Sequence, residues 1–141
     1  MDSKINEWLQ KFEIIKEIAV ETNIHSERLT EDVRNLALQR TGVEELPLDY
    51  VGEKGWKRQY QYILLLKSES EIDKQRLYNL DWLDKLSDEI YKVNQNCDYP
   101  ILEDKKVVNV NCANGITYQE SEDGTISIYS LQIQFDIKGG M

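Results

Sequence analysis

The sequence predicts an α+β fold, a largely antiparallel or mixed β-sheet of four to five strands packed with two main helices. Three observations carry this. Residues 3–20 and 79–95 repeat apolar side chains at helical spacing. Residues 56–67, 106–112 and 125–138 alternate with the period of two that marks a strand. The order is helix, two or three strands, helix, two strands, and this lacks the regular strand–helix alternation of a doubly wound parallel sheet.

Taken in order, residues 3–20 place Ile5, Trp8, Leu9, Phe12, Ile15 and Ile18 on one helical face, with Ser3 positioned to cap it. Trp8 and Phe12 lie one turn apart, and core packing accounts for them better than a ligand-stacking site. Residues 21–34 are polar and poorly periodic. Thr30-Glu31-Asp32 either caps a short helix through Leu36 or leads into a strand at 35–41, and the pattern does not decide between them. Gly42 is expected to end that element. Residues 46–51 read as a short strand with Leu46, Leu48 and Tyr50 on one face, and Pro47 belongs at its start or on a sheet edge. Gly52-Glu53-Lys54-Gly55 is a turn.

Residues 56–67 give the clearest strand. Trp56, Arg58, Tyr60, Tyr62, Leu64 and Leu66 share one face, and Lys57, Gln59, Gln61, Ile63 and Leu65 share the other. The second half is apolar on both faces, so it is expected to be covered on both sides. With 46–51 it should form an antiparallel hairpin. Residues 68–76 are highly charged and read as a loop. Asn79 then caps a helix whose buried stripe is Leu83, Leu86, Ile90 and Val93, extended by Trp82, and Pro100 prevents its continuation. Residues 106–112 place Val108, Val110 and Cys112 on one side. Asn114-Gly115 signals a turn or bulge, and Glu122-Asp123-Gly124 a further turn. In 125–138 the apolar phase changes from Ile126 and Ile128 to Tyr129, Leu131, Ile133, Phe135 and Ile137, which suggests a β-bulge. Residues 139–141 are expected to fray. With no repeat, low-complexity stretch or linker, residues 1–141 are expected to form one domain.

The 141 residues contain no apolar run near the ~20 a membrane helix needs, the longest being Ile63-Leu64-Leu65-Leu66. The start, Met1-Asp2-Ser3-Lys4, lacks a signal-peptide pattern, so synthesis and residence in the cytoplasm are expected. Cys97 and Cys112 read as free thiols in a reducing compartment. A single histidine, His25, argues against tetrahedral zinc and against a Ser–His or Cys–His pair. Phosphate-loop, dinucleotide, nucleophile-elbow and metalloprotease motifs are missing. Glu71 with Asp73, and Asp84 with Asp88, read as solvated carboxylates. Asp98, Glu103 and Asp104 lack the spacing of a calcium loop. The reading is of a non-enzymatic chain with no catalytic, cofactor or metal residues. Lys54, Lys57 and Arg58, with Trp56 among them, are the one basic cluster. Basic and aromatic residues together can hold a nucleic-acid strand. The net charge of −9 argues against this, and gatekeeping charges at a hairpin tip are the plainer reading.

Five stretches occur in succession: Leu46-Pro-Leu-Asp-Tyr-Val-Gly with Gly55-Trp-Lys-Arg-Gln-Tyr-Gln-Tyr, Leu80-Asp-Trp-Leu-Asp-Lys-Leu-Ser-Asp-Glu-Ile, Tyr99-Pro-Ile-Leu, Val107-Val-Asn-Val-Asn, and Tyr129-Ser-Leu-Gln-Ile-Gln-Phe-Asp-Ile. In order and spacing, over residues 35–138, they resemble the minor capsid or tail-terminator family of long-tailed phages and prophages of Gram-positive bacteria. The chain departs from that pattern at residues 20–34. The resemblance implies a virion structural protein made in the host bacterial cytoplasm. It implies a ring, usually of six copies, that caps the tail-tube protein, stops tube growth and presents a surface to the head-completion (connector) protein. DNA would pass through the ring without specific binding, and the acidic total would then keep phosphate from being gripped. On this reading the oligomer or tube interface is expected at Gly52, Lys54, Trp56, Lys57 and Arg58 of the hairpin, and at Glu69, Glu71 and Asp73 of the charged stretch. Another neck or head–tail completion subunit, a non-enzymatic cytoplasmic adaptor and a small enzyme are the alternatives.

Overall fold

The computed structural model describes residues 1–18, 24–26, 35–69, 73–120 and 125–140. Its elements are α1 (Asp2–Gln10), α2 (Glu13–Ile18), β1 (Ile24–Ser26), β2 (Asn35–Leu46), β3 (Trp56–Glu69), α3 (Asp73–Asn96), β4 (Lys105–Glu120) and β5 (Ile126–Gly139). The strands form one sheet in the order β1-β2-β3-β5-β4. β1 pairs with β2 in parallel and every other pairing is antiparallel, so the α+β reading holds.

The helices cover one face of this sheet. Ile5, Leu9 and Ile15 from the N-terminal helices and Trp82, Leu83, Leu86, Ile90 and Val93 from α3 are buried against Leu36, Leu38, Tyr62, Leu64, Leu66, Val110, Ile133, Phe135 and Ile137. Trp8 packs edge-on against both Phe12 and Phe135, at 4.9 and 5.7 Å, as core aromatics do. The indole of Trp82 donates to the carbonyl of Ile14 at 2.8 Å, tying α3 to α2. The N-terminus is pinned by polar contacts: the Tyr62 hydroxyl donates to Asp2 at 2.6 Å, and Arg40 pairs with the same carboxylate.

Several sequence expectations change. The first helix is not continuous over 3–20, for it breaks at Lys11–Phe12, and it begins at Asp2 with Met1 at the cap instead of Ser3. β2 runs straight through Gly42, which lies beside a bulge and does not end the strand. Arg40 pairs with Tyr62 and Gly42 with Gln61, so Thr41 drops out of the ladder. The hairpin with β3 is therefore made by Asn35–Leu46, whereas residues 47–51, read as a strand, lie in the connecting loop. Pro47, with no N–H to give, marks the point where pairing stops. Ser68 is a buried strand residue, α3 starts at Asp73, and Asn79 is buried within the helix instead of capping it.

In β5 no bulge interrupts the pairing with β3: Ser127 takes the core position, and Ile126 and Ile128 point to the opposite face. A bulge in that strand would disrupt two ladders at once, because β5 pairs on both sides. The irregularities fall instead in β4, an outermost strand, with register shifts at Val107/Asn109, Ala113/Ile116 and Thr117/Gln119. The first puts Val107 in the core in place of Val108. The expected turn at 122–124 lies outside the described residues.

The second face of the sheet is polar toward the hairpin end. There the side-chain amides of Gln59 and Asn109 both donate to Asp136, at 3.3 and 3.2 Å. Ile63 and Leu65 on this face are half-buried, not covered as the sequence suggested.

Candidate interaction surface

The β2–β3 hairpin loop, residues 47–55, is held in one shape by charge. The backbone N–H of Asp49 donates to Glu53 at 2.8 Å, and the N–H of Glu53 donates to the carbonyl of Tyr50 at 3.3 Å, closing a turn. Lys57 pairs with Asp49 at 3.2 Å. Lys138, arriving from the end of β5, pairs with Asp49 and also with Glu53 at 2.9 Å. Hydrogen bonds from Lys138 and Lys57 hold the Asp49 carboxyl below its ordinary range, and Lys138 does the same to Glu53. The ammonium of Lys138 is correspondingly raised. Gly55 has φ +86°, and a Cβ there would fall 2.1 Å from the carbonyl oxygen of Gly139, so only glycine fits.

This frame keeps apolar side chains in water. Tyr50 is 66 % and Val51 104 % exposed at the tip. Neither can be pulled down onto the sheet while Asp49 and Glu53 are fixed on either side of them. Burying them elsewhere would favour association, at about 25 cal/mol per Å² of apolar area removed from water.

The expected interface residues fall into two separate places. Gly52, Lys54, Trp56, Lys57 and Arg58 are together at the hairpin. Their charge is largely answered locally: Lys57 by Asp49, and Arg58 by Glu45 at 2.5 Å while its guanidinium stacks over Trp56 at 4.2 Å. Lys54 is exposed. A cluster neutralised in this way offers little to a phosphate backbone. Glu69 ends β3 and Asp73 begins α3, while Glu71 lies outside the described residues. Trp56 and Glu69 are the two ends of one strand, roughly 43 Å apart at about 3.3 Å per residue. They cannot serve one site.

The sequence did not single out a second exposed feature, at the opposite side of the sheet. Ile101 forms an isolated antiparallel bridge with Lys106 at the start of β4. Its side chain is nevertheless 88 % exposed. Beside it a cleft of about 320 Å³ is lined by Trp8, Tyr99, Pro100 and Ile101 and by four charged residues, Lys4, Glu7, Lys11 and Glu103. The sequence marks Pro100 as a helix stop and Tyr99-Pro-Ile-Leu as part of the family resemblance, and neither points to an exposed Ile101. A second groove, of about 350 Å³, between α1 and α3 is framed by Trp8, Phe12 and Val93, and the Trp8 indole donates to the carbonyl of Asp98 there at 2.8 Å.

Among the described residues no group of His, Cys, Asp and Glu is arranged to hold a metal ion. No helix among them is long and apolar enough to cross a membrane. Cys97 and Cys112 are free thiols, and burial pushes Cys112 up to about 12.

No family model and no curated protein matches the sequence. Among solved structures, the fold is similar to that of a chain in the virion of a native gene transfer agent (GTA) particle. The TM-score is 0.66 at 8% identity, over 99% of this chain and 95% of that one. Such low identity shows a shared fold, over nearly the whole of both chains.

Proposed function

We propose that this chain is a structural protein of a phage or prophage virion, acting at the head–tail joint as a tail terminator. The supporting observation is that its fold, across 99% of its length, is that of a chain built into a virion particle. The sequence succession that resembles the tail-terminator family points the same way. Neither depends on the other, since the fold likeness holds at 8% identity.

On this reading the chain works by shape. Copies meet head to tail, one patch against a different patch of the next copy, and the ring closes when the rotation between them divides the circle. A hexamer is the expected size. One side of the ring seats on the last ring of the tail-tube protein and ends its growth, and the other offers a docking surface to the head-completion protein. No bond is made or broken, so the chain needs no cofactor. The polar face of the sheet, with Gln59, Gln61, Asn109 and Asp136, suits a surface past which DNA moves without being held. A net charge of −9 suits the same task.

Electron microscopy of particles assembled without this protein tests the proposal. Overlong tails lacking heads are expected. Tails of normal length that fail only to join heads would reassign the chain to another neck component, and normal infectious particles would sink the reading.

A further inference from the structure

We propose that the hairpin tip of one copy seats in the Ile101 cleft of the next, making these two features the two halves of the ring contact. The inference rests on the ring reading above and names the surfaces that close it.

Three observations carry it. First, each half exposes an apolar side chain on a frame that fixes it. Tyr50 and Val51 are held out by the Asp49–Glu53–Lys138 network, and Ile101 by its bridge to Lys106 and by buried Pro100. Fixed projections lose little conformational freedom on docking.

Second, the two halves are at the same level on opposite sides of the sheet. Pairing runs in one row from Leu46 to Lys57, to Lys138, to Lys106. The hairpin loop follows Leu46, and Ile101 bridges Lys106. The strands β2 and β4 are three strand spacings apart, about 14 Å. Where the strands run along the ring axis, patches at one level let a head-to-tail contact close without a rise between copies.

Third, the charges beside them are opposite. Glu44 is exposed near the end of β2 and Lys106 is exposed at the start of β4, and among the described residues neither has an ion-pair partner within its own chain. Their neighbours Glu45 and Lys105 are already paired, with Arg58 and Asp104. Docking the tip in the cleft brings Glu44 of one copy toward Lys106 of the next. The cleft is large enough for one side chain such as Val51 or the ring edge of Tyr50.

Cysteine cross-linking tests this in the full chain, on a Cys97→Ser, Cys112→Ser background, with a mild oxidant and native mass spectrometry as readouts. A chain carrying both Val51→Cys and Ile101→Cys is expected to give a ladder of disulfide-linked multimers ending at a closed ring. A mixture of the two single variants is expected to stop at the dimer. Dimers from Val51→Cys alone would show like meeting like and overturn the proposal. So would a ring seen by native mass, or in virions, whose double variant does not cross-link; that result leaves the ring reading standing. Absence of multimers both in solution and in assembled virions would overturn both. As a second arm, Glu44→Lys is expected to weaken assembly about tenfold, and adding Lys106→Glu to restore it to within about threefold. Weakening without restoration would remove the charge pairing from the proposal.

Discussion

At the β4 edge of the sheet, Asn94 reaches over from α3 and occupies the backbone of the outermost strand. Its amide donates to the carbonyl of Val110 at 2.6 Å and its oxygen accepts from the N–H of Val110 at 2.9 Å. The Tyr99 hydroxyl supports that oxygen at 3.1 Å, and Ile101 bridges Lys106 farther along. At the β2 edge, β1 covers only Leu36 to Leu38, and from Gln39 to Leu46 no strand pairs with the outer side among the described residues. Three register shifts roughen β4, whereas β2 carries one, at Thr41. Among the described residues one edge is closed against strand addition by side chain, bridge and bulges, and the other is left open from Gln39 to Leu46. If copies join head to tail as proposed, this inequality gives the contact a direction, since two equal edges would pair without polarity.

Substitutions can break that inequality, and the largest effect is expected at Asn94. Asn94→Ala strips both groups of Val110 and leaves the Tyr99 hydroxyl without its acceptor. A loss of about 2–3 kcal/mol is expected in urea denaturation, with a new tendency to aggregate as β4 becomes a usable edge.

Tyr62→Phe acts on the β2 side, where Asp2 fastens α1 to the sheet. Losing the hydroxyl that donates to Asp2 should cost about 1 kcal/mol. Burial raises the Asp2 carboxyl, but the hydrogen bonds from Tyr62 and Arg40 outweigh it and hold the group below 3.8. A depressed carboxyl stabilises the fold above its unfolded value and loses that contribution as pH falls through the folded one. The wild-type denaturation midpoint should therefore drop below about pH 4, and less steeply in Tyr62→Phe.

Cys97→Gly is expected to sharpen the β4 side. Cys97 sits at φ +57° just past α3, and the N–H of Asp98 reaches back to the carbonyl of Val93 at 3.3 Å, a helix ending that glycine fits better. A gain of about 0.5 kcal/mol is expected by thermal denaturation. The smallest change is expected on the open edge: Val43→Lys, at a half-exposed site, should stay within about 0.5 kcal/mol and leave the circular dichroism spectrum unchanged.

Legibility in the sequence followed how local the deciding force was. The α3 stripe from Trp82 to Val93 was readable because helical spacing alone sets which side chains face the core. The face of β3 carrying Tyr60 to Leu66 was readable for the matching reason in strands. Residues 47–51 misled, since Leu48 and Tyr50 alternate like a strand while Asp49 is drawn away by Lys138, 89 residues distant. The apparent phase flip at Ile126 and Ile128 misled too. Ser127 is a polar residue in a core-facing position, and hydropathy cannot mark a core face occupied by serine. Of the expected interface, the hairpin half was visible from its glycines and its mixed charge. Ile101 was not visible, because its exposure depends on a bridge to Lys106 that no periodicity announces.

The meeting of Gly139 with the hairpin has a practical side. A Cβ on Gly139 would lie 2.3 Å from the Trp56 ring, and Gly140 rests against Gly55 and Trp56. Anything fused after Gly140 therefore emerges beside the loop that carries Tyr50 and Val51. A purification tag placed there without a long spacer would crowd the tip, and under the proposed ring contact it would hinder assembly. At the other terminus, the Met1 carbonyl accepts from the N–H of Ile5 and Asp2 is bonded to Tyr62, so a leader fused there needs its own spacer.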